Sequence, residues 1–329
     1  MNIFFRSNKG GFLKIIGILF IIILILIGII VGFAYAFISS KLSAMNYVET
    51  NENLITVNSG IEENLDEYRN IALFGLDTRD NSFNNSRSDS IIIVSINKKN
   101  NNVNLTSIYR DTYVDIEGHG LDKITHAYAY GGPELALSTI NRNLDLNITE
   151  FVTVNFDTVK TVVDTLGGIK LQITDAEAKQ IGLSSGGTYN LNGEQALAYA
   201  RIRKIDSDYK RTERIRTVID ASFQKLKTKS ISEILDFVDI VLPHISTNIS
   251  TNQIIAMAPS ILSYKISDSS GWPYDIEGIN LSAWYGVPVT LKSNVVKLHE
   301  ELFDDDNYVP SETVQEISNK IVDKTGYSN

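Results

Sequence analysis

The chain has 329 residues, carries 30 Lys plus Arg against 39 Asp plus Glu for a formal net charge of −9, and contains no cysteine. The acidic balance disfavours general binding to nucleic acid or to an anionic lipid surface, and without cysteine there is neither a disulfide framework nor thiol chemistry. Positive charge that is to hold an anion must therefore be concentrated locally.

Residues 1–14 carry Arg6, Lys9 and Lys14 with no acid, and Ile15 to Ile38 then runs for 24 residues without a charge. At about 1.5 Å rise per residue such a run spans about 36 Å, enough to cross a hydrocarbon core about 30 Å thick. The pattern predicts a transmembrane helix over 15–38, with 1–14 in the cytoplasm and everything after Lys41 outside, because the basic flank precedes the span. Ala34-Tyr35-Ala36 resembles a signal-peptidase site, but the apolar run far exceeds the ~7–15 residues of a cleaved signal, so a retained anchor is expected. The first 40 residues hold three of the 30 cations and none of the acids, so the exported part has 27 cations against 39 acids.

Residues 39–69 are rich in Asn, Glu and Ser and read as an extracellular stalk before a domain over 70–329. Asn70 to Leu76 and Ser90 to Ile96 are short isoleucine-rich strand patterns, and Val103 to Tyr109 follows a polar turn, so the last two should form a hairpin. Pro133 opens a helical pattern to Asn143. Phe151 to Phe156 reads as a strand, Asp157 as the cap of a helix to Leu166, and Ile169 to Ile173 as a further strand, which together suggest a crossover and a sheet with helices packed on it. Asn192 to Arg201 and Tyr209 to Lys227 are expected to be helices, the second with an apolar stripe of Ile215, Val218, Ile219 and Phe223. The fold class expected is α/β.

Eight of the eleven arginines fall in four clusters that also hold aspartate: Asp77-Thr-Arg79-Asp80, Arg87-Ser-Asp89, Arg110-Asp111, and Arg201-Ile-Arg203 through Asp206, Asp208, Arg211 and Arg214 to Arg216. Arginine's planar fork grips phosphate oxygens in pairs, and aspartate holds a hard cation against those same oxygens. Three clusters lie at strand ends, where loops on a rigid sheet converge on ligands. The alternative is that each arginine pairs with its neighbouring aspartate on the surface. No histidines stand at metal-ligand spacing, and His126 among Ala and Tyr suits a structural hydrogen bond better than a ligand role.

In order and spacing, Asn70-Ile-Ala-Leu-Phe-Gly-Leu-Asp77-Thr-Arg79, Arg87-Ser-Asp89, Ser107-Ile-Tyr-Arg110-Asp111-Thr, Asp122-Lys123-Ile-Thr-His126 through Gly131-Gly132-Pro133, and Leu191-Asn-Gly193 through Arg201-Ile-Arg203 resemble the LytR-CpsA-Psr family. Leu298 to Phe303 and Tyr308 to Ser311 resemble its tail. The resemblance implies a three-layer α/β/α domain with a central mixed sheet, whose members transfer a glycopolymer from a polyprenyl-diphosphate carrier to a peptidoglycan sugar hydroxyl. It implies that Arg79, Arg87, Arg110, Arg201, Arg203, Arg211 and Arg214 hold phosphate, that Asp77 and Asp89 carry magnesium, and that the prenyl tail lies in an apolar tunnel. Arg110 and Asp89 would take part in catalysis, with Asp111 the candidate general base. The implied partners are the lipid-linked polymer, peptidoglycan and the bilayer, with no nucleic acid; hydrolysis of the same diphosphate, or non-enzymatic sensing of it, are the alternatives. Two positions depart from the family pattern: Tyr109 stands where proline is usual, and Ile215 where glutamine often follows the arginine matching Arg214.

Overall fold

The computed structural model describes Ala36, Ser39, Ser40, residues 45–78, Phe83 and residues 86–328, so the expected transmembrane helix and Arg79 lie outside the described residues. Among the described residues no helix is long and apolar enough to cross a membrane. The folded unit runs Met45–Asn329.

In chain order the elements are β1 (Asn46–Tyr47), β2 (Tyr68–Leu76), β3 (Ser88–Asn97), β4 (Asn102–Ile108), β5 (Tyr113–Ile116), β6 (Gly120–Lys123), α1 (Ile124–Leu144), β7 (Glu150–Asn155), α2 (Phe156–Thr165), β8 (Ile169–Ile173), α3 (Asp175–Gln180), β9 (Gly187–Leu191), α4 (Gly193–Ala200), α5 (Asp208–Lys227), α6 (Ile231–Val241), β10 (Ser246–Thr247), α7 (Thr251–Ile261), β11 (Lys265–Trp272), β12 (Ile276–Asn280), β13 (Trp284–Pro288), α8 (Leu291–Phe303) and α9 (Glu312–Thr325).

Seven strands form one sheet in the order β1-β10-β7-β2-β3-β4-β11. It is mixed: β2 runs parallel to β7 and β4 to β11, while β3 is antiparallel to both of its neighbours, β2 and β4. The central strands are apolar on both faces, as a sheet covered on both sides requires. Ala72, Phe74, Leu76, Ile91 and Ile93 join a core with residues of α1, α8 and α9. Their alternates Ile71, Leu73, Ile92 and Val94 face Ile215 and Ile219 of α5 and Ile254 and Met257 of α7. The sheet is thus sandwiched between helical layers, the expected α/β arrangement.

Several expectations need correction. The segment read as a stalk folds onto the domain from Met45 onward: β1 extends the sheet beside β10, and Ile55, Ile61 and Leu65 are buried in the core. Thr56 N–H donates to Ser138 Oγ at 2.9 Å, and Asn58 Nδ2 donates to Asp145 Oδ1 at 2.5 Å, a carboxylate that also accepts from Ser311 N–H at 2.7 Å. A few apolar residues suffice here because polar anchors carry the rest of the segment. β8 does not cross over to the main sheet; it pairs only with β9, in a separate two-stranded ribbon. Helix α2 is capped by Asn155, whose side chain accepts from Thr158 N–H at 2.9 Å, two residues before the expected Asp157. Helix α1 begins at Ile124, nine residues before the expected start, and breaks at Gly131 and Gly132; at Gly132 φ is 67°, and Pro133 restarts it.

Candidate functional site: an arginine-lined cleft

A β-bulge starts the site. Gly75 pairs with Ser90 and Leu76 with Ser88, which leaves Asp89 as the extra residue on β3. Bulges re-aim the side chain they carry. Here Asp89 becomes the hub of a cation group drawn from distant parts of the chain. Arg110 Nη1, at the end of β4, donates to Asp89 Oδ1 at 2.8 Å, and Arg203 Nη2 lies 3.6 Å from Oδ2. Arg211 Nη2, in the first turn of α5, donates to the Asp89 carbonyl at 3.0 Å. The β4 end is held in turn by α1: Thr125 N–H donates to the Arg110 carbonyl at 3.2 Å, while its hydroxyl donates to the Ser88 carbonyl at 3.0 Å. Pairing with the nearest aspartate in sequence therefore does not describe the Asp89 carboxylate, whose cationic partners Arg110 and Arg203 are 21 and more residues away.

The electrostatics of the group favour an added anion. Arg211 is buried; burial pushes its pKa down, Asp208 works against that, and the cations Arg203 and Arg110 push it down further. Burial also opposes the charge on Arg110, but Asp89 and Asp111 outweigh it and leave its pKa above the ordinary value. The buried Nε atoms of both arginines lack a hydrogen-bond partner, although Arg211 Nε is 2.9 Å from Asp208 Oδ1 without hydrogen-bonding alignment. Buried donors without an aligned partner are uncommon; here each faces a carboxylate, Arg110 Nε lying 3.4 Å from Asp111 Oδ2.

Behind this group lies an apolar cleft of about 120 Å³. Leu73 and Ile92 of the sheet, Val159 of α2, Leu197 of α4, and Ile215, Val218 and Ile219 of α5 line it, with Asp89, Arg201 and Arg211 at one end. Arg201 ends α4 in a turn rather than an extended segment, and its guanidinium stacks 4.2 Å from the Phe156 ring centroid. Arg201 thus lines the cleft itself, whereas Arg203 joins the group through Asp89.

The remaining sequence candidates are placed differently. Arg214 is not brought into the group. Three residues separate it from Arg211, about 60° around the helix, and its long side chain goes the other way, donating to Glu177 Oε1 at 2.8 Å, to Asp206, and to the Ile202 carbonyl at 3.3 Å. Arg87 is exposed and close enough to Tyr130 for its charge to act on that phenol. Asp77 is exposed at the end of β2, beside the bulge. Asp111 receives Lys123 Nζ at 2.5 Å and faces a separate pocket. His126 has the structural role expected: its Nδ1 is 2.9 Å from Asp122 Oδ2, which also accepts from Tyr130 at 2.7 Å. Sequence reasoning missed Phe156 and Asp208 as site residues. Asp208, three residues before Arg211 at a helix start, was legible as an i, i+3 pair; Phe156 gave no signal.

A model of the LytR_cpsA_psr family matches residues 33–295. The chain belongs to that family. Among LytR_cpsA_psr relatives, the polyisoprenyl-teichoic acid–peptidoglycan teichoic acid transferase TagT of Bacillus subtilis (strain 168) is 36% identical over 224 residues, which span 64% of this chain and 70% of the relative. A solved structure described as TagT bound to LI-WTA superposes with a TM-score of 0.61 at 30% identity, covering 73% of this chain and 90% of that one. Another, the LytR-CPS2A-psr family protein YwtF (TagT) with bound octaprenyl pyrophosphate lipid, superposes with a TM-score of 0.53 at 25% identity, covering 79% and 91%.

Proposed function

We propose that the protein is a phosphotransferase that moves an anionic glycopolymer from a polyprenyl-diphosphate carrier to a sugar hydroxyl of peptidoglycan. The observation that carries this reading is the continuity of an apolar cleft with a cation group: one ligand that is apolar along its length and doubly anionic at one end matches both. The transferase names and the octaprenyl pyrophosphate of the relatives agree with it.

In this reading the acceptor hydroxyl attacks the phosphorus that bears the polymer. The bond from that phosphorus to the bridging oxygen breaks, polyprenyl phosphate leaves, and a phosphodiester to the sugar forms. Arg110, Arg203 and Arg211 stabilise the charge that develops on the phosphoryl oxygens, and Asp111 accepts the hydroxyl proton. Asp77 and Asp89, at neighbouring strand ends, fit magnesium only in part: among the described residues no three carboxylate or imidazole groups cluster as a metal site, so diphosphate oxygens and water would complete the shell. A magnesium ion held there would neutralise phosphate charge. The charge-free run of 15–38 after a basic 1–14 supports, within the same reading, an anchor that spans the membrane with 1–14 inside and the site outside.

Full-length protein given lipid-linked polymer and peptidoglycan is expected to yield polymer joined to the sugar through phosphate, with yield falling at least about tenfold on chelation by EDTA and returning with Mg²⁺. Release of free polymer phosphate as the sole product would assign the site to hydrolysis instead, and full activity in EDTA would remove the metal.

A further inference from the structure

On the other side of the arginine group is a second pocket, of about 200 Å³, that shares no lining residue with the cleft. The two cavities meet at the cations. Arg110 lies between Asp89 of the cleft and Asp111 of the pocket, and Arg211 between Asp89 and Asp208. An anion held by these two cations would therefore have the cleft on one side and this pocket on the other.

Its composition is distinctive. Trp284 is 44% exposed and Tyr209 36%, both unusual for large rings that could have been buried. Tyr209 is braced by Tyr109, with ring centroids 4.4 Å apart. The indole's seat is built into the β12–β13 hairpin: a Cβ at Gly278 would lie 2.7 Å from Trp284 Nε1, so only glycine leaves room for the ring there. The hairpin is also registered to the candidate base, because Gly286 N–H donates to the Asp111 carbonyl at 2.9 Å. Trp284 and Gly286 are two apart on β13 and so share a face.

Aromatic faces edged by carboxylates suit a sugar ring, whose C–H face is apolar and whose rim donates hydroxyl hydrogen bonds. Resting on the transferase reading, we propose that this pocket is the acceptor subsite, seating a pyranose of the peptidoglycan strand on Trp284 and Tyr209 with its hydroxyls toward Asp111 and Asp208.

The test is calorimetry on full-length protein in detergent with two probes, a peptide-free peptidoglycan tetrasaccharide and octaprenyl diphosphate. Trp284→Ala is expected to weaken tetrasaccharide binding about tenfold, Trp284→Phe to restore it to within about threefold, and Tyr209→Ala to weaken it comparably, all with unchanged octaprenyl diphosphate affinity. Wild-type tetrasaccharide affinity in both alanine variants, or no tetrasaccharide binding by the wild type, would overturn the proposal. Tetrasaccharide binding through Trp284 in a protein that fails to bind octaprenyl diphosphate would keep the saccharide pocket and remove the transferase reading.

Discussion

Arg211→Ala is expected to lower the transfer rate by about 100- to 1000-fold, the range for removing one preorganised charge-stabilising donor. The loss should fall on turnover rather than on folding. Arg211 is the most deeply placed cation of the group, it bridges the two cavities through Asp89 and Asp208, and it is the one whose charge the site itself disfavours until an anion arrives. Arg211→Lys keeps the charge but not the fork, and should recover only part of the rate. Steady-state transfer beside a thermal melt checks this; a rate within tenfold of wild type, with an intact fold, would take Arg211 out of the chemistry.

Arg214→Leu, by contrast, should destabilise the fold by about 3–5 kcal/mol, because it strands a buried carboxylate. Glu177 is buried; burial pushes its pKa up, but hydrogen bonds from Arg214 and from Thr174 more than cancel that and hold it below the ordinary value. A depressed carboxylate contributes stability that is fully present above its unfolded pKa, about 4.3, and is lost as the pH falls through the lower folded value. Urea melts from pH 7 down to pH 3 should show this acid-side loss in the wild type and a flatter profile in Arg214→Leu paired with Glu177→Leu, which should also recover most of the stability. A single Arg214→Leu variant as stable as wild type would show that the ion pair is not a strut. Through the Ile202 carbonyl, that strut holds the turn carrying Arg201 and Arg203.

These two arginines, three apart and alike in sequence, mark how far sequence reasoning reaches. Charge clustering found the arginines, and the unbroken apolar runs Asn70 to Leu76 and Ser90 to Ile96 found the central strands, because a strand covered on both faces has no other pattern. Ile-Lys-Leu-Gln-Ile at 169–173 alternates instead, the mark of a ribbon wet on one side, so its exclusion from the main sheet was legible and was overridden by the strand–helix–strand spacing. What could not be read were pairings between distant segments. The bulge at Asp89, its bond to Arg110, and the folding of 45–69 onto α1 each depend on register or on polar anchors that leave no local periodicity. Both departures from the family pattern turn out to sit at cavities: Ile215 lines the apolar cleft, and Tyr109 braces the aromatic pocket. A methyl-rich side chain adds to an apolar cleft what an amide cannot.

The claim on which the rest depends is that the cleft and the arginine group hold one lipid diphosphate. Affinity of the full-length protein for octaprenyl diphosphate and for inorganic diphosphate, compared between wild type and Leu197→Trp, tests it most directly. At about 0.8 kcal/mol per buried CH₂, three or four such groups in the cleft already favour the lipid about 100-fold. The wild type should show at least that preference, and Leu197→Trp, which fills the cleft beside Ile215 and Val218, should reduce it below about tenfold while leaving inorganic diphosphate binding unchanged. Equal affinity for the two ligands in the wild type, or an undiminished preference in the filled cleft, would contradict the account.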